Sequence, residues 1–258
     1  MKVVILAGGQ PSTISNEREG IPKPMAQIGE MPILWHVMKA FAYYGYNDFI
    51  ICAGYKSEMI KDYFADFYLY NSDITVDLLK NTIEIHKRVS ENWKVTIINT
   101  GLYSATGERI TRVKNYVDED ENFIVTYGDC LSDIDIGALV GEHQKANRIA
   151  TMTITRPTGR NKLVIIDDSK DLVAKEAEAT CECKAWTDAN LYVFNKEVFH
   201  YLAGNYSLED QLFKQLISIE QLHIYRHNSF WTPVETVRDK TCMENLWNAG
   251  MAPWKKWS

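Results

Sequence analysis

The chain has 258 residues, of which 46% are hydrophobic and 24% charged, and its formal net charge is −6. That length and apolar share suffice for a sizeable core in one large domain, whereas the acidic balance argues against nucleic acid, which calls for a basic face. No apolar run reaches membrane-spanning length, the first residues lack the pattern of a signal peptide, and five scattered cysteines fit a reducing cytoplasm.

The first twenty-five residues organise the rest. Val3-Val4-Ile5-Leu6-Ala7 is a short, β-branched apolar run that predicts a buried, central parallel strand. It ends in Gly8-Gly9, where the backbone can turn sharply and approach a ligand, and where successive N–H groups can cradle an anion. A polar loop from Gln10 to Ile21 follows. Then comes Pro22-Lys23-Pro24, a stiff segment that holds one positive charge in place. Strand, glycine turn and rigid lysine suggest a nucleotide triphosphate site at the carboxyl edge of a sheet. A plain strand–turn–helix start is the competing reading of the glycines alone.

Apolar residues from Ile33 to Phe41 fall at helical spacing, with Pro32 before them and Gly45 after. Asp48 to Gly54 reads as a second strand ending in glycine, and Ser57 to Phe67 as a second helix with Ser57 as N-cap. The segment is therefore β-α-β-α, the pattern of a parallel sheet. Residues 74–78 and 82–86 alternate as a hairpin excursion, and 95–100 returns to the main sheet. Thr106 is expected to cap a helix running through Val117. Asn122 to Asp129 reads as a buried strand with a carboxylate at its carboxyl end, the edge where open α/β sheets bind ligands. Next come a helix over 136–146, a strand over 149–154, an antiparallel set at 163–167 and 172–177, and a strand over 186–194. Short helices at 199–201 and 208–219 and a strand at 221–225 complete the pattern. Four of the seven tryptophans lie beyond residue 226, where packing is the expected role. Cys181-x-Cys183 offers two metal ligands, but no second pair has zinc spacing. His36 reads as a packed helix residue, and Tyr43, Tyr44, Tyr46, Tyr68 and Tyr70 as an aromatic surface suited to self-association. The reading is one α/β domain over residues 1–258: a Rossmann-like, mixed but mainly parallel sheet flanked by helices, with small antiparallel excursions.

The segments Ile5-Leu6-Ala7-Gly8-Gly9, Pro22-Lys23-Pro24-Met25, Pro32-Ile33-Leu34-Trp35-His36, Asn47-Asp48-Phe49-Ile50-Ile51-Cys52, Gly54-Tyr55-Lys56, Thr126-Tyr127-Gly128-Asp129, Arg238-Asp239-Lys240 and Ala252-Pro253-Trp254-Lys255 match a known pattern from end to end. The chain resembles the sugar-phosphate nucleotidyltransferases, and among them the glucose-1-phosphate cytidylyltransferases. The resemblance implies a Mg²⁺-dependent reaction in which CTP and a phosphorylated acceptor, ordinarily a sugar 1-phosphate, give a CDP-linked product and pyrophosphate. It also implies a homo-oligomer. Carried over position by position, Lys23 sits by the phosphates and Arg109 supports the nucleotide. Leu6, Ala7, Gly8, Gly9, Ser12, Thr13, Thr126 and Gly128 line the nucleotide site. Asp129 and Glu235 hold Mg²⁺, and Glu178 and Asp188 face the acceptor.

The match is disturbed at the site itself. Pro11 stands where the pattern has a glycine, which removes an N–H donor, and Thr13 where it has an arginine. Losing such a charged fork costs about 10²- to 10³-fold in rate by analogy with a missing oxyanion donor. Arg18 is a possible replacement. Glu235 replaces an aspartate. Glu178-Ala179-Thr180 replaces Glu-Lys-Pro, so the acceptor lysine is Ala179, with Lys175 or Lys184 as substitutes. Asp188-Ala189-Asn190 replaces Asn-Gly-Gly, which sets a carboxylate near a substrate phosphate. Three readings follow: a working cytidylyltransferase with an altered acceptor, a non-catalytic paralogue that binds a nucleotide or sugar nucleotide and regulates or scaffolds a partner enzyme, and a structural subunit.

Overall fold

A computed structural model describes residues 1–9, 20–87, 91–157, 163–167, 169–177 and 186–257. Strand β1 (Val3–Ala7) has every residue buried. Side chains alternate across a strand, so a run that is apolar throughout needs cover on both faces. Val3, Ile5 and Ala7 pack into one core, and Val4 and Leu6 into another on the opposite face. β1 pairs in parallel with β2 (Asp48–Ala53), which pairs in parallel with β3 (Lys94–Asn99) at the sheet's edge. On its other side β1 pairs in parallel with β4 (Asn122–Tyr127).

The sheet continues through β5 (Ala150–Thr155), β6 (Leu163–Asp167), β7 (Leu172–Ala177), β8 (Trp186–Asn195) and β9 (Leu222–Arg226). Its order is β5-β9-β7-β6-β8-β4-β1-β2-β3, with an added β5–β8 pairing. Only β7 and β8 run against the other seven strands. The long β8 gives one edge to β4 and β6 and the other to β5, and β9 meets β7 at Leu172–His223. This half of the sheet therefore closes on itself, while the β4-β1-β2-β3 half is open and parallel.

The face bearing Val3 and Ile5 is covered by α1 (Ile33–Tyr43), Ile60 of α2 (Ser57–Ala65) and, further along, α4 (Ile136–Ala146). The other face is covered by Ile110 of α3 (Thr106–Arg112), Val113, Val117 and the π-helical turn Leu208–Phe213. Helix α5 (Val237–Asn248) was not expected from apolar spacing. Its start is fixed by a capping box in which Thr236 and Asp239 bond each other's backbone N–H groups.

Beyond α5 the chain folds back onto α1. Trp254 is buried, stacks on Phe230 with ring centroids 5.7 Å apart, and donates from Nε1 to His36 Nδ1 at 3.4 Å. His36 Nε2 in turn donates to the Ile28 carbonyl at 2.9 Å. Burial lowers the His36 pKa to about 4, so the ring is a neutral packing element. The packing role expected of His36 and of the late tryptophans agrees with this placement.

Several boundaries differ from expectation. Lys56, at φ 46°, precedes α2, so Ser57 is its first helical residue rather than its cap. Ala105 caps α3, and the Thr106 hydroxyl instead accepts from the Leu208 N–H at 3.0 Å. The helix expected to run through Val117 breaks at Val113, giving a separate turn at Lys114–Val117. The hairpin read at 74–78 and 82–86 forms within a residue of those bounds, as Asp73–Asp77 paired with Thr82–Lys87 (the 73–87 hairpin). Pro11, Ser12, Thr13, Arg18, Glu178, Ala179, Thr180, Cys181, Cys183 and Lys184 lie outside the described residues.

Candidate active site

The carboxyl ends of β1 and β4 open into a cavity of about 550 Å³. Leu6, Ala7, Gly8 and Gly9 line it from the end of β1, Tyr127, Asp129 and Cys130 from the end of β4, and Lys23, Arg109, Asn190 and Glu235 from the sides.

Lys23 is placed by the stiffness of its neighbours. Pro22 lies at φ −56° and leads into the single helical turn Lys23–Met25. Pro24 sits against Gly128, where a Cβ would come within 3.1 Å of Pro24 Cγ. The bare α-carbon of Gly128 therefore lets the proline-flanked lysine press against the end of β4. Its N–H donates to the Leu6 carbonyl at 3.0 Å, which ties β4 to β1 just before the aspartate. Lys23 Nζ then lies 3.9 Å from Asp129 Oδ2.

Glu235 arrives from the far end of the chain. The short strand Trp231–Pro233 pairs antiparallel with Cys130–Ser132, and the Val234 N–H donates to the Asp129 carbonyl at 2.8 Å. The Asp129 pKa is raised, chiefly by burial and further by the Glu235 charge, against the opposing pull of Lys23. Two carboxylates converge where one is held above its usual range, and a divalent cation would relieve that conflict. Their hard oxygen donors suit such an ion, with substrate phosphates and water completing its shell. The two residues therefore fit a metal, although among the described residues no cluster of three or more His, Cys, Asp or Glu does.

Arg109 has a different place from the one its type suggests. It is 4% exposed, and its guanidinium donates to Gly8 O and to Thr100 Oγ1, both at 2.6 Å, and to Ala53 O and Leu102 O at 3.4 Å. Burial lowers its pKa. The cation is spent on bracing the ends of β1 and β2, and it reaches the cavity as part of the wall. This also explains Gly8. A Cβ there would fall 2.0 Å from Arg109 Nη1, and one on Gly54 would fall 2.7 Å from Gly8 O. Gly9 is exposed, and a Cβ there would meet nothing.

Two other residues expected at the site lie aside. Thr126 is buried, and its side chain borders a small void with His36, Leu131 and Trp231 in place of the cavity. Its neighbour Tyr127, which points to the opposite face of β4, lines the cavity instead. Asp188 does not line the cavity. Its Oδ1 accepts from the Asn190 N–H at 2.7 Å and its Oδ2 from the Tyr192 hydroxyl at 2.5 Å. The residue that does reach the cavity is Asn190, at φ 56°. Its left-handed backbone fits the glycine of the Asn-Gly-Gly pattern, and asparagine tolerates that conformation better than most residues. Tyr127 and Asn190 both belong to motifs visible in the sequence, without being singled out there. The signals that could have found them are strand alternation and the glycine they stand beside or replace.

The nucleotidyl transferase family profile matches residues 2–232. Glucose-1-phosphate cytidylyltransferases of Salmonella typhi and Salmonella typhimurium are each 40% identical to the chain over 260 residues, covering 100% of both proteins. Among solved structures, a UDP-glucose pyrophosphorylase complexed with UDP-glucose superposes with a TM-score of 0.72 at 13% identity, covering 96% of this chain and 98% of that one. The superposition agrees with the mixed, mainly parallel sheet expected from the sequence. No helix of the described residues is long and apolar enough to cross a membrane.

Proposed function

The chain belongs to the nucleotidyl transferase family, and from that membership we propose that it is a cytidylyltransferase, joining CTP to a phosphorylated acceptor and releasing pyrophosphate. An acceptor phosphate oxygen forms a bond to the α-phosphorus as the bond to the pyrophosphate oxygen breaks in line. Such chemistry needs positioning and charge neutralisation more than covalent help. The observation that carries the reading is Lys23 standing 3.9 Å from Asp129 at the sheet edge, with Glu235 beside them, in a chain 40% identical over its full length to named cytidylyltransferases.

In this reading Leu6, Ala7, Gly8 and Gly9 form the floor under the phosphates, and Lys23 neutralises charge on the triphosphate. Asp129 and Glu235 would hold Mg²⁺, which when bound supplies further neutralisation of the phosphate oxygens. Arg109 keeps the β1 end rigid through Gly8 rather than by gripping nucleotide. Thr100, buried against Arg109 and Ala53, completes that brace. The 258 residues act as one domain in the cytoplasm, where free cysteines such as Cys52, Cys130 and Cys242 are at home. They assemble as a homo-oligomer, for which the support is the apolar surface of the 73–87 hairpin, where Leu78 is 89% and Leu79 95% exposed.

A second reading, a nucleotide-binding paralogue without turnover, is favoured by Thr13 and Ala179 standing at the pattern's arginine and lysine. The deciding experiment is pyrophosphate release from CTP with Mg²⁺ and a panel of phosphorylated acceptors, run beside calorimetric titration with CTP and with CDP-glucose. Turnover with any acceptor supports the enzyme. Tight CTP binding with no release across the panel supports the paralogue, no CTP binding overturns the enzyme, and binding of neither CTP nor CDP-glucose overturns both.

A further inference from the structure

Asp129 follows a strand end, where one soft χ angle leaves a carboxylate free to rotate unless something holds it. Lys23 faces its Oδ2. At Oδ1 the neighbour is Cys130, whose thiol donates to it at a sulfur–oxygen distance of 3.8 Å. The Cys130 sulfur is itself met by Asn190 Nδ2 at 3.6 Å.

Every link behind that contact is fixed. The Asn190 N–H is held by Asp188 Oδ1, and Asp188 Oδ2 accepts from Tyr192, a fully buried residue of β8. The carbonyl of Ala189, between them, accepts from Trp231 Nε1 at 2.7 Å. Trp231 belongs to the ribbon whose other strand begins at Cys130, with Pro233 and Cys130 directly paired. The chain of donors thus runs from β8 through Asn190 and Cys130 to one oxygen of Asp129, and the Trp231–Pro233 ribbon that delivers Glu235 braces its middle. A carboxylate that must coordinate an ion is worth most when its orientation is set by such outer partners.

The geometry points to Cys130 and Asn190 as positioning residues, which fix the Asp129 carboxylate so that Oδ2 faces Lys23 and the cavity. This rests on the proposed role of Asp129 as a metal-holding residue, but the donor chain itself can be seen without metal. It also gives Asn190 a function at a place where the family pattern carries glycine, and it accounts for Asp188 being absorbed within the protein instead of facing an acceptor.

The test has two arms. In the metal-free protein, the infrared S–H stretch of Cys130 is isolated as the wild-type spectrum minus that of Cys130→Ala. It should sit at the lowered frequency of a donating thiol and move upward in Asp129→Asn and in Asn190→Ala. A free-thiol frequency, unchanged in both variants, overturns the proposal. In the second arm, Mn²⁺ is titrated calorimetrically in the presence of CTP. Cys130→Ala should weaken Mn²⁺ about 10-fold, at the low end of the range for outer-shell partners. Cys130→Ser, which restores a donor, should recover most of the loss. Because the residues act in series, Cys130→Ala combined with Asn190→Ala should be no weaker than Cys130→Ala alone. Additive losses, or a serine variant as weak as alanine, overturn the positioning role. If the wild type binds neither Mn²⁺ nor CTP, the cytidylyltransferase reading and the metal-positioning role fall together; a lowered S–H frequency would then leave only the bare donor chain standing.

Discussion

Replacing Gly8 with alanine would place a Cβ 2.0 Å from Arg109 Nη1 and 2.4 Å from its Cζ, and the three closest atoms all belong to that guanidinium. The backbone at Gly8 is not in the left-handed region, so the conformation tolerates alanine and the cost is steric. The guanidinium has to leave a site where it makes two 2.6 Å bonds, to Gly8 O and Thr100 Oγ1. Hydrogen bonds to a charged group are worth about 1.5–3 kcal/mol each, so losing both predicts a destabilisation of about 3–6 kcal/mol. In an Arg109→Met background the obstructing group is gone, and Gly8→Ala should cost about 1 kcal/mol or less. Urea unfolding followed by tryptophan fluorescence, on wild type, both single variants and the double variant, measures the coupling directly. Equal costs of Gly8→Ala in the two backgrounds would refute the claim that Gly8 exists to admit Arg109.

Lys23→Met should lower kcat for pyrophosphate release by about 10²- to 10³-fold, the scale of losing one preorganised charge partner, with an unchanged urea midpoint. Trp254→Ala should cost about 3–5 kcal/mol, as expected for emptying a fully buried aromatic site, read from the same unfolding curves. His36 and His143 titrate at about 4 in the folded protein but near 6.5 when unfolded. Between those values the unfolded chain binds the extra protons, so stability falls as pH drops from 6.5 towards 4, by up to about 3 kcal/mol for each histidine. His36→Gln should remove its share of that slope, as judged by urea midpoints at pH 7 and pH 5; an unaltered slope would contradict the burial argument.

Much of the scaffold could be read because its signals are local. Val3 to Ala7 is apolar at every position, which only a strand covered on both faces requires, and Lys23 and Asp129 were legible because proline and strand end mark their places. The alternating runs of the 73–87 hairpin carry their own register. What stayed hidden depended on contacts between distant residues. Nothing near Arg109 in sequence says that its charge will be consumed by the carbonyls of Gly8 and Ala53, and so it read as a nucleotide ligand. Thr126 was grouped with its motif, although alternation alone could have set it on the opposite face from Tyr127. The meeting of Asn190 with Cys130 depends on how β8 lies beside β4. Helix α5 escaped because its apolar positions are sparse, yet Thr236 and Asp239 already spelled its cap.

The return of Trp254 onto His36 ties the two ends of the described chain into one packing unit. The aromatic lid over α1 includes Trp247, Trp254 and Trp257, so the cover that keeps the His36 imidazole dry comes from a residue 218 positions further along the chain, and the first helix is finished only by the last aromatic turn.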